Sequence, residues 1–126
     1  MDNPFGPVGT AKYVSLTTFK KDGTPVSTPV WAALDNGKLY VWTETNTWKV
    51  KRIRRNPQVT LQPCDFRGKT HGETVKGSAL VLGDAGSENT RQLIKRKYGI
   101  IGQVIVLGST LRRGRTGTIG IEIASA

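Results

Sequence analysis

The sequence predicts a mostly β fold: a small antiparallel barrel of six strands with two or three short helices. Six short runs are rich in β-branched and aromatic residues, turn signals separate these runs, and helical periodicity is confined to two or three segments. Many short strands with tight turns commonly close into a barrel. Because the 126 residues include no linker or internal repeat, residues 1–126 are expected to form a single domain.

The first three strands are predicted to form a meander that follows an irregular arm, residues 1–11. They are expected over residues 13–19, 25–34 and 38–43, because Asp22-Gly23 and the Asp-Asn-Gly run that begins at residue 35 are hairpin signals. Pro29 lies within the second strand. Since proline cannot donate to a strand ladder, it indicates a sheet edge, a bulge or a break that faces a ligand.

A short helix is predicted directly after the third strand. Val50 and Ile53 share one helical face and are expected to pack on the barrel, and Pro57 ends the helix. Hydroxyl and amide side chains just before the helix can satisfy its first N–H groups. The N-cap candidates are Thr45, Asn46 and Thr47.

The second half of the chain adds three strands and a second helix. Strands are expected over residues 58–64, 74–82 and 117–123. The helix is expected over residues 87–98, with Ser87 as its cap and Gly99 as its stop. Residues 99–115 fit both helical and strand patterns, and we expect a helical or irregular cover over an open barrel end that shapes a substrate pocket.

The composition favours a polyanionic partner. Lys and Arg number 19 against 9 Asp and Glu, a formal net charge of +10, as in proteins that bind nucleic acid, anionic membranes or highly charged small molecules. One cysteine excludes an intramolecular disulfide and fits a reducing compartment. The chain shows no apolar signal region and no run of membrane-spanning length, so a cytoplasmic protein without a membrane partner is expected.

The common catalytic motifs do not fit this sequence. One histidine and one cysteine, His71 and Cys64, make a protein-held metal site improbable, and Cys64 is expected to be a small buried hydrophobe. Gly68-Lys69-Thr70 mimics the end of a Walker A loop, but Pro63 occupies the position of its first glycine. The acidic residues are scattered. No catalytic residue can be assigned, so the chemistry of an enzyme would reside in a cofactor.

The predicted first helix is the clearest candidate site. Five of its seven residues from 49 to 55 are cationic, and a threonine-rich turn precedes it. Free backbone N–H groups, the helix dipole and cationic side chains would converge there, which is the chemistry of a phosphate site. The alternative is a solvated charged surface, an interpretation that applies more readily to the other cationic groups, residues 95–97 and 112–115.

Three segments resemble a known family. KDGTPVSTPVW at residues 21–31, LYVWT at 39–43 and TWKVKRIRRNPQVTL at 47–61 resemble the pyridoxamine 5′-phosphate oxidase-like split β-barrel superfamily. The likeness is closer to its small actinobacterial members that use the deazaflavin coenzyme F-420. The resemblance implies a flavin-binding type of split β-barrel and a homodimer with cofactor sites at the interface, to which the partner chain contributes.

The resemblance also assigns site residues. It implies that Lys49 contacts the cofactor phosphate and that Lys51 assists, with Arg52 or Arg54 as further candidates. Hydroxyls of the preceding turn would complete the phosphate cradle, and the second strand would lie along the ring. These residues are Thr43, Thr45 and Thr47 of the turn and Ser27, Thr28, Pro29, Val30 and Trp31 of the strand.

The function expected from this resemblance is an oxidoreductase that transfers a hydride from reduced F-420 to a small electron-poor acceptor. A chain of net charge +10 suits the phosphodiester and oligoglutamate of F-420 better than FMN, which brings one phosphate. The alternatives are an FMN-dependent oxidase or reductase, a protein that holds F-420 or a flavin without turnover, and a basic nucleic-acid-binding barrel. Proton-donor candidates are Tyr13, Tyr40 and His71.

Overall fold

The computed structural model describes residues 4–113 and 117–125, of which residues 100–113 are described by their backbone. Six antiparallel strands close into a barrel in the order β1-β2-β3-β6-β5-β4. The elements in chain order are α1 Pro7–Thr10, β1 Tyr13–Phe19, β2 Pro25–Asp35, β3 Lys38–Glu44, α2 Trp48–Arg55, β4 Gln58–Cys64, β5 Val75–Val81, α3 Asp84–Arg113 and β6 Thr118–Ser125. The predicted fold class, a mostly β six-stranded barrel, is confirmed.

The barrel core is filled from both the strands and the short helices. Leu16, Leu39 and Ile121 are almost fully buried inside the barrel, and Val50 and Ile53 of α2 join the same cluster. The predicted inward face of α2 is therefore confirmed. Burying each of these side chains contributes about 1.5–3 kcal/mol, so α2 is held firmly against the barrel.

β2 changes its pairing partner in the middle of the strand. Residues 25–30 pair with β1, and residues 31–35 pair with β3. Each half of β2 therefore has a strand partner on one side only. Pro29, opposite Ser15 of β1, lies in the first half, where its missing N–H removes no bond to β3. Pro29 is predicted to mark a sheet edge, a bulge or a break that faces a ligand, and the strand pairing supports the sheet edge.

The helix α3 differs from the prediction at its start. It begins at Asp84, so Ser87 lies inside the helix and does not cap it. The Ser87 Oγ instead accepts the N–H of Gly120 in β6, at 3.0 Å. Gly99 has non-helical backbone angles, φ 62° and ψ −141°, and helix continues beyond it to residue 113. Residues 100–113 are thus helical, while residues 114 and 115 of the predicted cover lie outside the described residues.

A second apolar cluster lies between α3 and the outer face of the barrel. Leu93 and Ile94 of α3 pack against Ala33 of β2. Aromatic side chains surround this contact, namely Trp31, Tyr40, Trp42 and Tyr98. Trp31 and Trp42 sit opposite each other on β2 and β3, with ring centroids 6.4 Å apart. The tryptophans of the sheet therefore contribute to the packing of α3.

Candidate functional site

The turn between β3 and α2 leaves the start of the helix open. The backbone of Thr47 is extended at the N-cap position, but its side chain does not cap the helix. The Thr47 hydroxyl donates to the carbonyl of Glu44, at 3.1 Å. The first N–H groups of α2 thus keep the geometry that binds an anion, reinforced by the positive end of the helix dipole.

Lys49 lies beside this helix start. Its Nζ donates to the Thr43 Oγ1 at 3.2 Å, and its side chain is half-buried. Burial lowers the pKa of Lys49, the charge of Glu44 opposes that shift, and the charge of Arg52 adds to it. The ammonium is thus partly removed from water and held by the Thr43 hydroxyl. A phosphate here would restore the interactions that burial removes.

The outward side of α2 forms a second, strongly basic surface. A recess of about 460 Å³ is lined by one tryptophan and five cations, namely Lys20, Lys21, Trp48, Lys51, Arg52 and Arg55. We call it the basic recess. Trp48 is 69% exposed, and the Lys51 Nζ lies 4.6 Å from the centre of its ring. None of the described residues that line the recess is acidic, so its field attracts anions.

The structure does not bring all four predicted cations together. Lys51 and Arg52 line the basic recess, and Lys49 lies at the helix start. Arg54 lines a different recess, next to the end of β5. Thr45 is held by its N–H, which donates to the carbonyl of Gly117 at 3.1 Å. The structure therefore brings Lys49 together with Thr43, and the charge of Arg52 acts on Lys49, whereas Lys51 and Arg52 line the basic recess and Arg54 lines another one.

Most of the residues predicted to bind the cofactor ring, residues 27–31, belong to the half of β2 that has an open edge. Ser27 and Pro29 are exposed, and the Ser27 hydroxyl is 2.6 Å from the Thr17 hydroxyl. Val30 points into the barrel core, while Trp31 stacks on Tyr98 outside the barrel. Since residues 25–30 have a strand partner only in β1, backbone groups of this edge can meet the polar rim of a flat ring.

The donor set fits a phosphorylated ring cofactor. Cations, hydroxyls and open N–H groups suit a phosphate, and the unpaired strand edge suits the carbonyl and imide groups of a flavin-like ring. The Thr28 Oγ1 is buried and has no hydrogen-bond partner among the described residues. An unsatisfied buried hydroxyl on the predicted ring-binding strand is typical of a site that a ligand or a water completes.

The proton-donor candidates lie away from the helix start. The Tyr40 hydroxyl donates to Glu122 at 3.4 Å, and burial followed by the charge of Glu122 raises the pKa of Tyr40. His71 is exposed in the loop after β4. Burial raises the pKa of the Cys64 thiol, which disfavours the nucleophilic thiolate and agrees with the predicted buried hydrophobe.

The described residues also bear on metal binding and on membrane insertion. Among the described residues, no group of three or more His, Cys, Asp and Glu side chains could hold a metal ion. In the same part of the chain, none of the helices combines the length and the apolar character needed to span a membrane.

Sequence reasoning missed three contributors to this region. Lys20 and Lys21 join the basic recess from the hairpin after β1, a position that only the packing of α2 reveals. Arg91 of α3 is buried, and its guanidinium donates to the carbonyl of Thr118 at 2.9 Å. It thereby fixes the start of β6 beside the Gly117 carbonyl that holds the turn. No short-range signal identifies these contacts.

Comparison with known proteins gives a consistent result. The family described as pyridoxamine 5′-phosphate oxidase matches residues 8–116. A conserved hypothetical protein of Mycobacterium tuberculosis has a similar structure, with TM-score 0.69, 19% identity, and coverage of 94% of this chain and 75% of that chain. No protein of curated function matches the sequence.

Two further similar structures carry the names of cofactors. An F420 reductase aligns with TM-score 0.62 and 18% identity, covering 100% of this chain and 96% of that chain. An FAD-binding protein of Mesorhizobium loti aligns with TM-score 0.63 and 22% identity, covering 94% of this chain and 85% of that chain. At these identities the likeness shows the fold that the chains share.

Proposed function

This chain belongs to the pyridoxamine 5′-phosphate oxidase family, and on that premise we propose that it is a deazaflavin-dependent oxidoreductase. It uses coenzyme F-420 to reduce a small, electron-poor organic acceptor. The active form is a cytoplasmic homodimer of the small actinobacterial type, with cofactor sites at the interface. The observation that carries this proposal is the half-buried ammonium of Lys49, which donates to the Thr43 hydroxyl at the end of β3, next in the chain to the uncapped start of α2.

Each part of the chain has a distinct task in this proposal. Lys49 and the hydroxyls of Thr43, Thr45 and Thr47 hold the cofactor phosphate, and Lys51 and Arg52 add charge. The edge formed by Ser27, Thr28, Pro29, Val30 and Trp31 orients the ring, and Arg54 has an accessory role at most because it lines another recess. When bound, F-420 supplies a hydride from its central ring. The residues of this chain bind the cofactor, orient it and exclude water from it.

The basic recess favours F-420 over FMN. FMN brings one terminal phosphate, which Lys49 and the helix start can satisfy. F-420 brings a phosphodiester and an acidic oligoglutamate, and the basic recess offers five cations, three from the same helix and two from the hairpin after β1. A protein that bound only FMN would gain little from this excess of charge. FMN on the same cradle is the second candidate, because the cradle itself fits either phosphate.

The experiment is a titration of the purified protein with F-420 and FMN side by side. We expect saturable binding of F-420 that is tighter than binding of FMN. Lys49→Ala should weaken F-420 binding by about 1.5–3 kcal/mol, because a charge-assisted contact is lost; this is roughly 10- to 150-fold in Kd. Lys76→Ala, at an exposed position of β5, is the matched control and should leave Kd nearly unchanged.

Several results would redirect the proposal. Tighter binding of FMN, with a yellow protein after purification, would favour the FMN alternative. Equal losses from Lys49→Ala and Lys76→Ala would show that binding follows net charge and not the cradle. Salt-sensitive binding of single-stranded nucleic acid, without cofactor binding, would favour the nucleic-acid alternative. Tight F-420 binding with no oxidation of reduced F-420 across a panel of nitro-aromatic and quinone acceptors would favour a carrier.

A further inference from the structure

A second cavity lies where the start of β1 meets the second half of β2 and the part of α3 before Gly99. Its volume is about 390 Å³, and we call it the aromatic pocket. Three aromatic residues, two lysines and one threonine line it, namely Thr10, Lys12, Tyr13, Trp31, Lys97 and Tyr98. Among the described residues, no acidic side chain lines it. An apolar cavity with a few convergent polar groups of one charge is typical of a small-molecule site.

The aromatic wall of this pocket is rigidly held. The rings of Trp31 and Tyr98 are stacked, with centroids 4.2 Å apart and planes 7° apart. The Tyr98 hydroxyl donates to the carbonyl of Lys12 at 2.6 Å and accepts the N–H of Ala32 at 3.2 Å. A stacked pair fixed in this way offers a flat, preformed surface, so a planar ligand would not have to order it.

The charge of the pocket comes from two lysines. The Lys97 Nζ donates to the carbonyls of Ala11 at 2.7 Å and of Ala32 at 2.5 Å. Two of its three N–H groups are thus used, and the Nζ also lies 5.3 Å from the centre of the Tyr98 ring. The Lys12 Nζ lies 5.9 Å from the centre of the Tyr13 ring. In the described part of the chain, the lining of the pocket offers a carboxylate at the rim of a bound ring two positive charges and no negative one.

We propose that the aromatic pocket binds planar aromatic or heteroaromatic anions, of which an aromatic carboxylate is the simplest, and that it is the acceptor site of this oxidoreductase. The second half of the proposal rests on the proposed function. Trp31 supports the link, because it lines the pocket and directly follows Val30, the last residue of the open β2 edge. On reduction, the acceptor gains two electrons and one proton as hydride and a second proton from water, and the cofactor is left oxidised.

The pocket can be tested without any cofactor. The three tryptophans give three indole N–H signals in a ¹⁵N correlation spectrum, assigned by replacing each with Phe. The probes are 2-naphthoate, its neutral amide and cyclohexanecarboxylate. We expect 2-naphthoate to shift the Trp31 signal saturably and to leave Trp48, in the basic recess, unmoved. The amide should bind at least roughly fivefold more weakly than 2-naphthoate. The saturated acid should produce no saturable shift.

Variants separate charge from stacking. Lys12→Met should weaken binding of 2-naphthoate by about 2- to 5-fold and leave binding of the amide unchanged, because the exposed Lys12 contributes charge only. Lys97→Met should have a larger effect, but Lys97 also holds two carbonyls, so Lys12 is the variant that decides. A shift of Trp48 in place of Trp31, or equal affinity for the saturated acid, would overturn the assignment.

The two levels of the proposal fail separately. If 2-naphthoate binds at Trp31 but F-420 does not bind, the pocket stands and the proposed function is wrong. If F-420 binds but Lys12→Met changes neither probe binding nor the KM for an anionic acceptor, the pocket assignment is wrong and the function stands. In the active enzyme, Lys12→Met should raise that KM with little change in kcat or in the Kd of F-420.

Discussion

The close approach of α3 to β6 at Gly120 gives a prediction whose size follows from the structure. A Cβ added at Gly120 would lie 2.4 Å from the Thr90 Oγ1, 2.8 Å from the Thr90 Cβ and 3.2 Å from the Ser87 Cα. The Thr90 hydroxyl is itself bonded to the carbonyl of Gly86 at 2.9 Å, so it cannot rotate away without loss. Gly120→Ala should therefore push α3 off the barrel.

The expected cost has two parts. Overpacking in a closely packed contact costs about 1–3 kcal/mol. Displacing α3 also stretches the hydrogen bond from the Gly120 N–H to the Ser87 Oγ, worth about 0.5–1.5 kcal/mol. We expect a total loss of about 2–4 kcal/mol, a large fraction of the stability of a typical domain.

Urea unfolding measures this loss. Gly83→Ala is the control, because among the described residues no heavy atom other than those of its chain neighbours lies within 4 Å of the added methyl group. Gly83 directly precedes α3, where replacing glycine by alanine should lower the free energy of unfolding by less than about 1 kcal/mol. Thr90→Ala removes the 2.4 Å contact, so the double variant with Gly120→Ala should be more stable than additivity predicts, by about 0.5 kcal/mol or more. A Gly120→Ala loss no larger than that of Gly83→Ala would refute the described packing of α3.

Two further predictions concern buried groups. Burial raises the pKa of Tyr98 to about 12, so the tyrosine titration should contain one late component that Tyr98→Phe removes. Because the folded state then retains a proton that the unfolded state loses, the Tyr98 contribution to stability should be full below the unfolded pKa of about 10 and decline as the pH rises toward 12. At pH 8 a thiol reagent should label Cys64 very slowly in the folded protein, because the side chain is buried and the pKa of its thiol is raised. In denaturant the same reagent should label one thiol per chain. Rapid labelling of the folded protein would contradict this prediction.

The sequence was a good guide to structure wherever the cause was local. Asn36 and Gly37 both have positive φ, 53° and 80°, as a two-residue hairpin turn requires. Strands β1 and β4 have the predicted bounds, and Val50 and Ile53 face the core as their spacing indicates. In each case a few neighbouring residues decide the conformation.

The errors arose where a distant contact decided the outcome. Ser87 resembles a helix cap, but its hydroxyl accepts the N–H of Gly120, 33 residues away. Residues 95–97 read as one cationic surface, yet Lys97 is half-buried and bonded to Ala11 and Ala32. The proposed phosphate cradle could be predicted from the sequence because β3, the turn and α2 are consecutive, whereas the aromatic pocket depends on the long-range contacts of Tyr98 with Lys12 and Ala32.

The partner change of β2 accounts for both candidate sites. Because residues 25–30 pair with β1 and residues 31–35 pair with β3, the strand has two open edges, one on each side. On the second edge, the backbone of Ala32 is satisfied by Lys97 and Tyr98, which form a wall of the aromatic pocket. The first edge contains Pro29 and has no such side-chain cover among the described contacts. The partner change therefore leaves an open backbone edge at residues 25–30, where we propose that the cofactor ring binds, and places residues 31–35 beside the proposed aromatic pocket.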